Sequence, residues 1–496
     1  MHGKGFPWYP LLFGFFPALS LLSRNIGDAH FAEVWLPCAV VAAIASLLWG
    51  LLYALLRDHH KCALLIAAFW VPFHAYGALA DGLKAALRAG ASPLPVLAVV
   101  ALIALGGAAL FVWLWRTRRD LAGLTKGLNL LGACLLVVPL TTYGLARIRQ
   151  EAPAATTQSA GAANLSPEAL AALPDIYYII PDSYPRADVL RDTFGHDNTP
   201  FLDALKERGF HVVEDAHSNY PKTQMSLASS MNLDYLDPGR LEAQWNQALP
   251  DFVAQIWDNK VMDFLAGYGY EFPTFSSGVA ATEINAGRFV KPDTFLLTEL
   301  QQVYLAMTPL RSPVERMSRS NEANRVLFVL DGLGKVRRGD KPMFVFAHMM
   351  APHMPHNFDA EGKPRTETPP YYEGFRDAVK CINGRLLTMV DRIRERQPNS
   401  VIIIQGDHGC RSDWQSTAGT DLIPWKGTRD EYIRDYTAVL NTIYFPDGDY
   451  SAFYPGITPV NTFRIVFNKY FGTKYELLPD KTFMSFPGSS EIEQVR

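Results

Sequence analysis

Pro174-Asp-Ile-Tyr-Tyr-Ile-Ile-Pro181-Asp182-Ser183 is the stretch on which the fold turns. Asp175 to Pro181 form a short run rich in β-branched and aromatic residues, the pattern of a strand buried in a sheet. Downstream, Thr199–Gly209 reads as a helix, with a Thr cap, Pro200 in the first turn, and Phe201, Leu202 and Leu205 on one face. Phe210–Val213 reads as the next strand. Pro342–His348, Val401–Gln405 and Val439–Phe445 repeat the buried-strand signature, with helical patterns between them, the longest near Phe375–Gln397. Strands alternating with helices predict an α/β domain whose largely parallel sheet is covered on both faces. The polar, mostly helical stretch Glu283–Gly339 reads as an insertion.

Upstream the character of the chain changes. The 496 residues are 49% hydrophobic and 19% charged, with a net charge of −3. Residues 1–150 hold twelve Lys or Arg and five acidic residues (Asp28, Glu33, Asp58, Asp81 and Asp120), a balance of +7, and the remainder balances at −10. Five apolar stretches lie in this first part, near Phe6–Ser23, Phe31–Leu56, Cys62–Ala80, Pro95–Trp115 and Leu121–Ala146. Each approaches the roughly 20 residues a helix needs to cross a bilayer core of about 30 Å. They predict a bundle of about five transmembrane helices. The first span lacks a small-residue cleavage site before Arg24 and is followed at once by others, so it does not read as a removable signal peptide.

With the N-terminus inside, seven Lys or Arg fall on the cytoplasmic side, Arg116, Arg118 and Arg119 most densely, and five fall outside. Five spans then place everything after residue 147 outside the cytoplasm, anchored in a plasma (inner) membrane. The expected domains are 1–147 in the membrane, a linker over 148–173 rich in Ala, Thr, Ser and Gly, and an α/β catalytic domain over 174–496. No basic excess in the soluble part points to nucleic acid. Of five cysteines, Cys381 and Cys410 lie in the extracytoplasmic part, and spacing alone leaves their pairing open.

Ligands of open α/β sheets gather beyond the carboxyl ends of the strands. The residues found there are Asp182-Ser183-Tyr184, His348-Met-Met-Ala-Pro-His353-Met-Pro-His356 and Gly406-Asp407-His408-Gly409. Between the first and second lies Lys222-Thr223-Gln-Met-Ser226, where a loop enters a helical segment. Singly, each has a plain structural explanation: Asp182 as a turn residue, Thr223 as a helix cap, His408 as a hydrogen-bonded turn histidine. Together, Asp182, Thr223, Asp407 and His408 make a four-ligand set for a divalent cation, with zinc or manganese suited to carboxylate plus imidazole. A dication lowers the pKa of a hydroxyl, which turns Thr223 into a nucleophile.

On these residues the region from Pro174 to Phe445 resembles the alkaline phosphatase/sulfatase superfamily, most closely its membrane-anchored branch of lipoteichoic acid synthases and phosphoethanolamine transferases. The resemblance rests on a strand ending in Asp182, on Thr223 with Ser226 in a small-residue helix, on His348-x4-His353-x-Pro355, and on Gly406-Asp407-His408-Gly409. It implies that Asp182, Thr223, Asp407 and His408 bind metal and that Thr223 becomes covalently phosphorylated. It further implies that His353 serves catalysis and that His348, His353, His356 and Ser226 contact substrate.

The implied reaction moves a phospholipid headgroup, phosphoglycerol or phosphoethanolamine, to a cell-envelope glycan or lipid. A hydrolase using the same residues, and an inactive envelope scaffold, are the competing expectations. The sequence also departs from these families. Thr223-Gln-Met-Ser-Leu lacks the Cys/Ser-x-Pro-x-Arg motif of formylglycine sulfatases. No His occurs in Arg411–Lys426, where phosphoethanolamine transferases carry another.

Overall fold

The computed structural model describes residues 5–26, 29–88, 92, 94–150, 168, 172–242, 245–292, 297–365, 369–410, 427–486 and 492–496. Most of the expected linker, and the 411–426 stretch after the Asp-His-Gly motif, lie outside the described residues. The chain divides into two compact units, the first built on the N-terminal helices and the second on an α/β sheet.

The first unit contains α1 (Tyr9–Arg24), α2 (Trp35–Leu56), α3 (His59–Arg88), α4 (Leu94–Arg116) and α5 (Ala122–Gln150). Four helical stretches, Phe31–Leu56, His59–Leu87, Leu94–Arg116 and Ala122–Leu145, are long and apolar enough to cross a membrane, with mean hydropathies of 1.7 to 2.6. The fifth expected span is α1, at 16 residues the shortest. Its Tyr9, Ala18, Leu19 and Leu22 are buried. The Asn129 side chain of α5 accepts from the N–H groups of Trp8 and Tyr9, which satisfies donors that a helix start leaves unpaired. Elsewhere the bundle turns apolar residues outward: Leu102 and Leu130 are each 68% exposed. Contiguous apolar surface of this kind suits hydrocarbon rather than water.

Residues Leu297–Ser318 cluster with this unit, not with the α/β unit that precedes and follows them in sequence. The physical reason lies in one helix, Glu299–Ala306, whose Tyr304 and Leu305 are buried in a cluster with α1 to α3 and whose Leu300 is buried in one with α1, Val34 and Tyr143 of α5. Gln301 donates to the Glu33 carbonyl, Tyr304 Oη lies 3.0 Å from His74 Nε2, and Gly77 N–H donates to the Met307 carbonyl. A Cβ on Gly77 would meet the Ala306 carbonyl oxygen at 2.7 Å, so this close approach requires glycine. Arg311 closes the segment with a 2.6 Å ion pair to Asp81 of α3.

The second unit is a seven-stranded sheet of β1 (Asp175–Pro181), β2 (His211–Val212), β3 (Pro273–Phe275), β4 (Arg288–Val290), β5 (Phe344–Met349), β6 (Ser400–Gln405) and β7 (Asn441–Tyr444). Its order is β2-β7-β6-β1-β5-β3-β4. The five strands from β6 to β4 run parallel, while β7 is antiparallel to both β6 and β2. Every residue of β1, β5 and β6 is buried, because helices cover both faces. The sequence reading of the α/β class and of β1, β2, β5, β6 and β7 therefore holds, whereas β3 and β4 were not read and β4 falls inside the stretch Glu283–Gly339 expected to be a helical insertion. The helix Thr199–Glu207 forms as expected, but Thr199 lies inside it and the cap position falls to Asn198. In register, β1 pairs Pro181 with Met349 of β5 and Ile179 with Ile404 of β6. The carboxyl ends of three neighbouring strands thus open at one edge, and all the residues singled out beyond them share that edge.

Arg311→Met is expected to lower the stability of the detergent-solubilised chain by ~1 kcal/mol, since the Asp81 side chain of the pair remains 31% exposed. Arg311→Met/Asp81→Leu should recover most of that loss. Thermal unfolding of the two variants checks it, and equal losses would show that the pair contributes no coupling.

Candidate functional site

The site begins with how β1 ends. Asp182 N–H donates to the Met349 carbonyl, and the chain then turns through Ser183 at φ +62°, a left-handed conformation uncommon for a non-glycine residue. The turn aims two Ser183 groups inward. Its N–H donates to Asp407 Oδ1 at 3.0 Å, and its hydroxyl donates to Asp182 Oδ1 at 2.9 Å. Ser183 therefore ties together the two carboxylates. The sequence reading quoted this residue but gave it no role, since a positive φ at serine has no composition signal.

After β6, the two glycines of Gly406-Asp407-His408-Gly409 allow close backbone approach. A Cβ on Gly406 would stand 2.5 Å from the Tyr184 carbonyl oxygen, and one on Gly409 2.2 Å from that of Asp435. Between them Asp407 and His408 are held buried. Thr223 begins the helix Thr223–Asn232, one position past the Lys222 cap, so its side chain sits at the partly positive helix start.

Asp182, Asp407 and His408 offer ligand atoms that all lie within 4.8 Å of one another. His408 Nδ1 lies 2.8 Å from the Gly409 carbonyl, which can only accept, so Nδ1 carries the proton and Nε2 the lone pair. Around Nε2 stand Asp182 Oδ1 at 3.6 Å, Asp407 Oδ2 at 3.5 Å and Thr223 Oγ1 at 3.4 Å. In a tetrahedral site with bonds of about 2.0–2.2 Å, ligand atoms stand ~3.3–3.6 Å apart. Asp407 Oδ2 is also buried with no hydrogen-bond donor among the described residues. Spacing, lone-pair direction and donor type therefore all fit a divalent cation.

The remaining predicted residues take different positions. His353 follows β5 half-buried, its N–H donating to the Asp182 carbonyl and its Nδ1 2.6 Å from the Met354 carbonyl. Burial alone would raise the Asp182 carboxyl, but the imidazoles of His353, His348 and His408 outweigh it and hold it well below the usual carboxylate range. His348 is fully buried, with Nε2 3.3 Å from Asp182 Oδ2. His356 is buried against Tyr371 and Phe375, its Nδ1 facing the Pro352 carbonyl. Ser226 is buried in the first turn of its helix, its N–H donating to the Lys222 carbonyl. No disulfide joins any of the five cysteines, all of which are among the described residues, and Cys381 and Cys410 are both buried.

A family model described as Sulfatase matches residues 174–464, more than half of the chain. The chain belongs to the sulfatase family. This places it in the alkaline phosphatase/sulfatase superfamily, as its motifs suggested. A search of curated proteins finds no match. Among solved structures, the C-terminal periplasmic domain of EptC from Escherichia coli is similar at 12% identity and a TM-score of 0.41, covering 65% of this chain and 93% of that one. The integral membrane phosphoethanolamine transferase EptA of Neisseria meningitidis is similar at 13% identity and a TM-score of 0.41, covering 94% of each chain. The lipoteichoic acid synthase LtaP of Listeria monocytogenes is similar at 14% identity and a TM-score of 0.39, covering 63% of this chain and 77% of that one.

Two outcomes follow for this sulfatase-family site. Gly409→Ala is expected to push the Asp407-His408 turn off the Asp435 carbonyl and lower the unfolding midpoint. An unchanged midpoint in thermal unfolding would contradict the close approach. Burial pushes the His356 imidazole down to about 3, from an ordinary 6.5. A depressed histidine contributes stability above its unfolded pKa and loses it as pH falls. His356 should therefore cost about 1.4 kcal/mol for each pH unit below 6.5. His356→Gln should flatten the fall in unfolding midpoint between pH 6.5 and pH 4.5, and an unchanged slope would show that His356 does not bind its proton on unfolding.

Proposed function

We propose that this protein is a membrane-bound, metal-dependent phosphotransferase that moves a phospholipid headgroup, phosphoglycerol or phosphoethanolamine, onto a cell-envelope glycan or lipid. The observation that carries the reading is the convergence of Thr223 Oγ1 with the Asp182, Asp407 and His408 ligand atoms. Those four residues would hold zinc or manganese, which when bound supplies Lewis-acid charge that lowers the hydroxyl pKa and offsets the phosphoryl oxygens.

Thr223 is the nucleophile. Its Oγ forms a bond to phosphorus as the bond from phosphorus to the diacylglycerol oxygen breaks, leaving a phospho-threonine. An acceptor hydroxyl then attacks the same phosphorus and releases Thr223. The start of the helix Thr223–Asn232 favours the negative phosphoryl group beside it. With its Nδ1 proton engaged by the Met354 carbonyl, His353 keeps a lone pair on Nε2 with which to take the acceptor's proton.

The catalytic unit works outside the cytoplasm of a multi-pass inner-membrane protein. Two features support that orientation. Lys and Arg favour the opposite side of the bundle. Residues 297–318, which interrupt the α/β unit in sequence, dock on Glu33 and on the Gly77–Asp81 end of α3, and the same orientation puts both outside. A tethered enzyme shares one surface with a phospholipid donor, which raises the effective donor concentration.

Mass spectrometry of the purified chain after incubation with phospholipid vesicles tests the reading. A headgroup phosphate on the Thr223 peptide is expected, with turnover lost by at least about a thousandfold in Thr223→Ala and on chelation. Release of free headgroup without transfer would favour a hydrolase. An unmodified Thr223 together with full function of the Ala variant would leave a scaffold.

A further inference from the structure

One imidazole buried from solvent meets the cluster only through Asp182. His348 ends β5, fully buried, and lies outside the group of ligand atoms formed by Asp182, Asp407 and His408. Its two ring nitrogens face two different partners. Nδ1 is 3.0 Å from Thr282 Oγ1, and Nε2 stands 3.3 Å from Asp182 Oδ2, within ion-pair reach but not aligned as a hydrogen bond.

The proton arrangement follows from the carboxylate. An Nε2 lone pair facing a buried carboxylate oxygen would be repulsive, so Nε2 carries the hydrogen, and its partial positive charge offsets Oδ2 across 3.3 Å. In the neutral ring Nδ1 then accepts, and Thr282 has a proton to give it. Ser277 Oγ stands 2.8 Å from Thr282 Oγ1 and fixes its position, while both hydroxyls also reach the Val279 carbonyl. The turn bearing Ser277 is in turn anchored by Glu283, whose Oε1 accepts from the Gly278 N–H and the Ser276 hydroxyl.

We propose that His348 and Thr282 form a positioning pair that holds the Asp182 carboxylate through Oδ2, so that Oδ1 alone is presented to the cation. Oδ1 is the oxygen that faces His408 Nε2 and receives the Ser183 hydroxyl. His348 thereby acts through Asp182 and is a positioning residue, not a contact for substrate. Partners behind a ligand in this way set its orientation and its basicity. The inference rests on the reading of Asp182, Thr223, Asp407 and His408 as a cation site.

The test measures zinc affinity of the full-length protein in detergent by competition with a chromogenic chelator, beside the unfolding midpoint of the metal-free chain. His348→Leu is expected to weaken zinc binding about ten- to a hundredfold. His348→Gln, which keeps an N–H donor, should recover part of that affinity. Thr282→Val should weaken zinc binding without emptying the core, and it decides the question if His348→Leu fails to fold. Zinc affinity within twofold of the parent in Thr282→Val, or no recovery by Gln, would overturn the positioning role while leaving the cation site standing. Parent protein that binds zinc no better than Asp407→Asn would overturn the cation site itself, and the positioning role with it.

Discussion

Two buried carboxylate oxygens and an imidazole lone pair are aimed at one another at the edge of the sheet. Asp182 Oδ1, Asp407 Oδ2 and His408 Nε2 stand 3.5–3.6 Å apart across the Nε2 contacts, with Thr223 Oγ1 at 3.4 Å. Electron-rich atoms gathered this closely away from water repel one another, a repulsion that positive charge placed among them would offset. Much of the local structure holds that convergence in place. Ser183 adopts an unusual backbone conformation to donate to both carboxylates. The His408 proton is drawn to the far side of the ring by the Gly409 carbonyl, and the His348 imidazole stands 3.3 Å behind Asp182 Oδ2.

The sheet order brings these groups together. Asp182 and Asp407 are separated by more than two hundred residues, yet β1 lies directly between β5 and β6, all three parallel. Their carboxyl ends therefore open side by side, the position where an α/β sheet binds ligands. Gly406 and Gly409 let the turn after β6 press against the backbone of Tyr184 and Asp435 with no room for a side chain. The motif Gly-Asp-His-Gly thus joins two different demands: ligands in the middle and absent side chains at both ends.

The N-terminal unit answers a different solvent. Its helices expose leucine and valine on their outer faces and spend their polar groups on one another, as with Asn129 at the start of α1. The segment Leu297–Ser318 is captured by this unit through an amphipathic turn of helix and the Arg311–Asp81 pair. Its sequence marked it as helical and polar. The burial of Leu300, Tyr304 and Leu305 against the N-terminal helices was not legible there, because a helix face declares that it needs a partner but not which one.

Hydrophobic patterning in the sequence was enough to divide the protein into apolar helices and an α/β unit, because span length and strand alternation are local properties set by the solvent around each segment. The residue types at the strand ends were enough to single out Asp182, Thr223, Asp407 and His408 as candidate ligands, since few side chains can serve as cation ligands, and the fold brings the four together. Only the tertiary structure decided how they are used. The direction of the His408 lone pair, the bridging by Ser183, the burial of His348 and His356, and the contact between Thr282 and His348 all depend on backbone dihedrals and on neighbours distant in the chain. No local window of sequence contains those distances, because they arise when the parallel strands come into register.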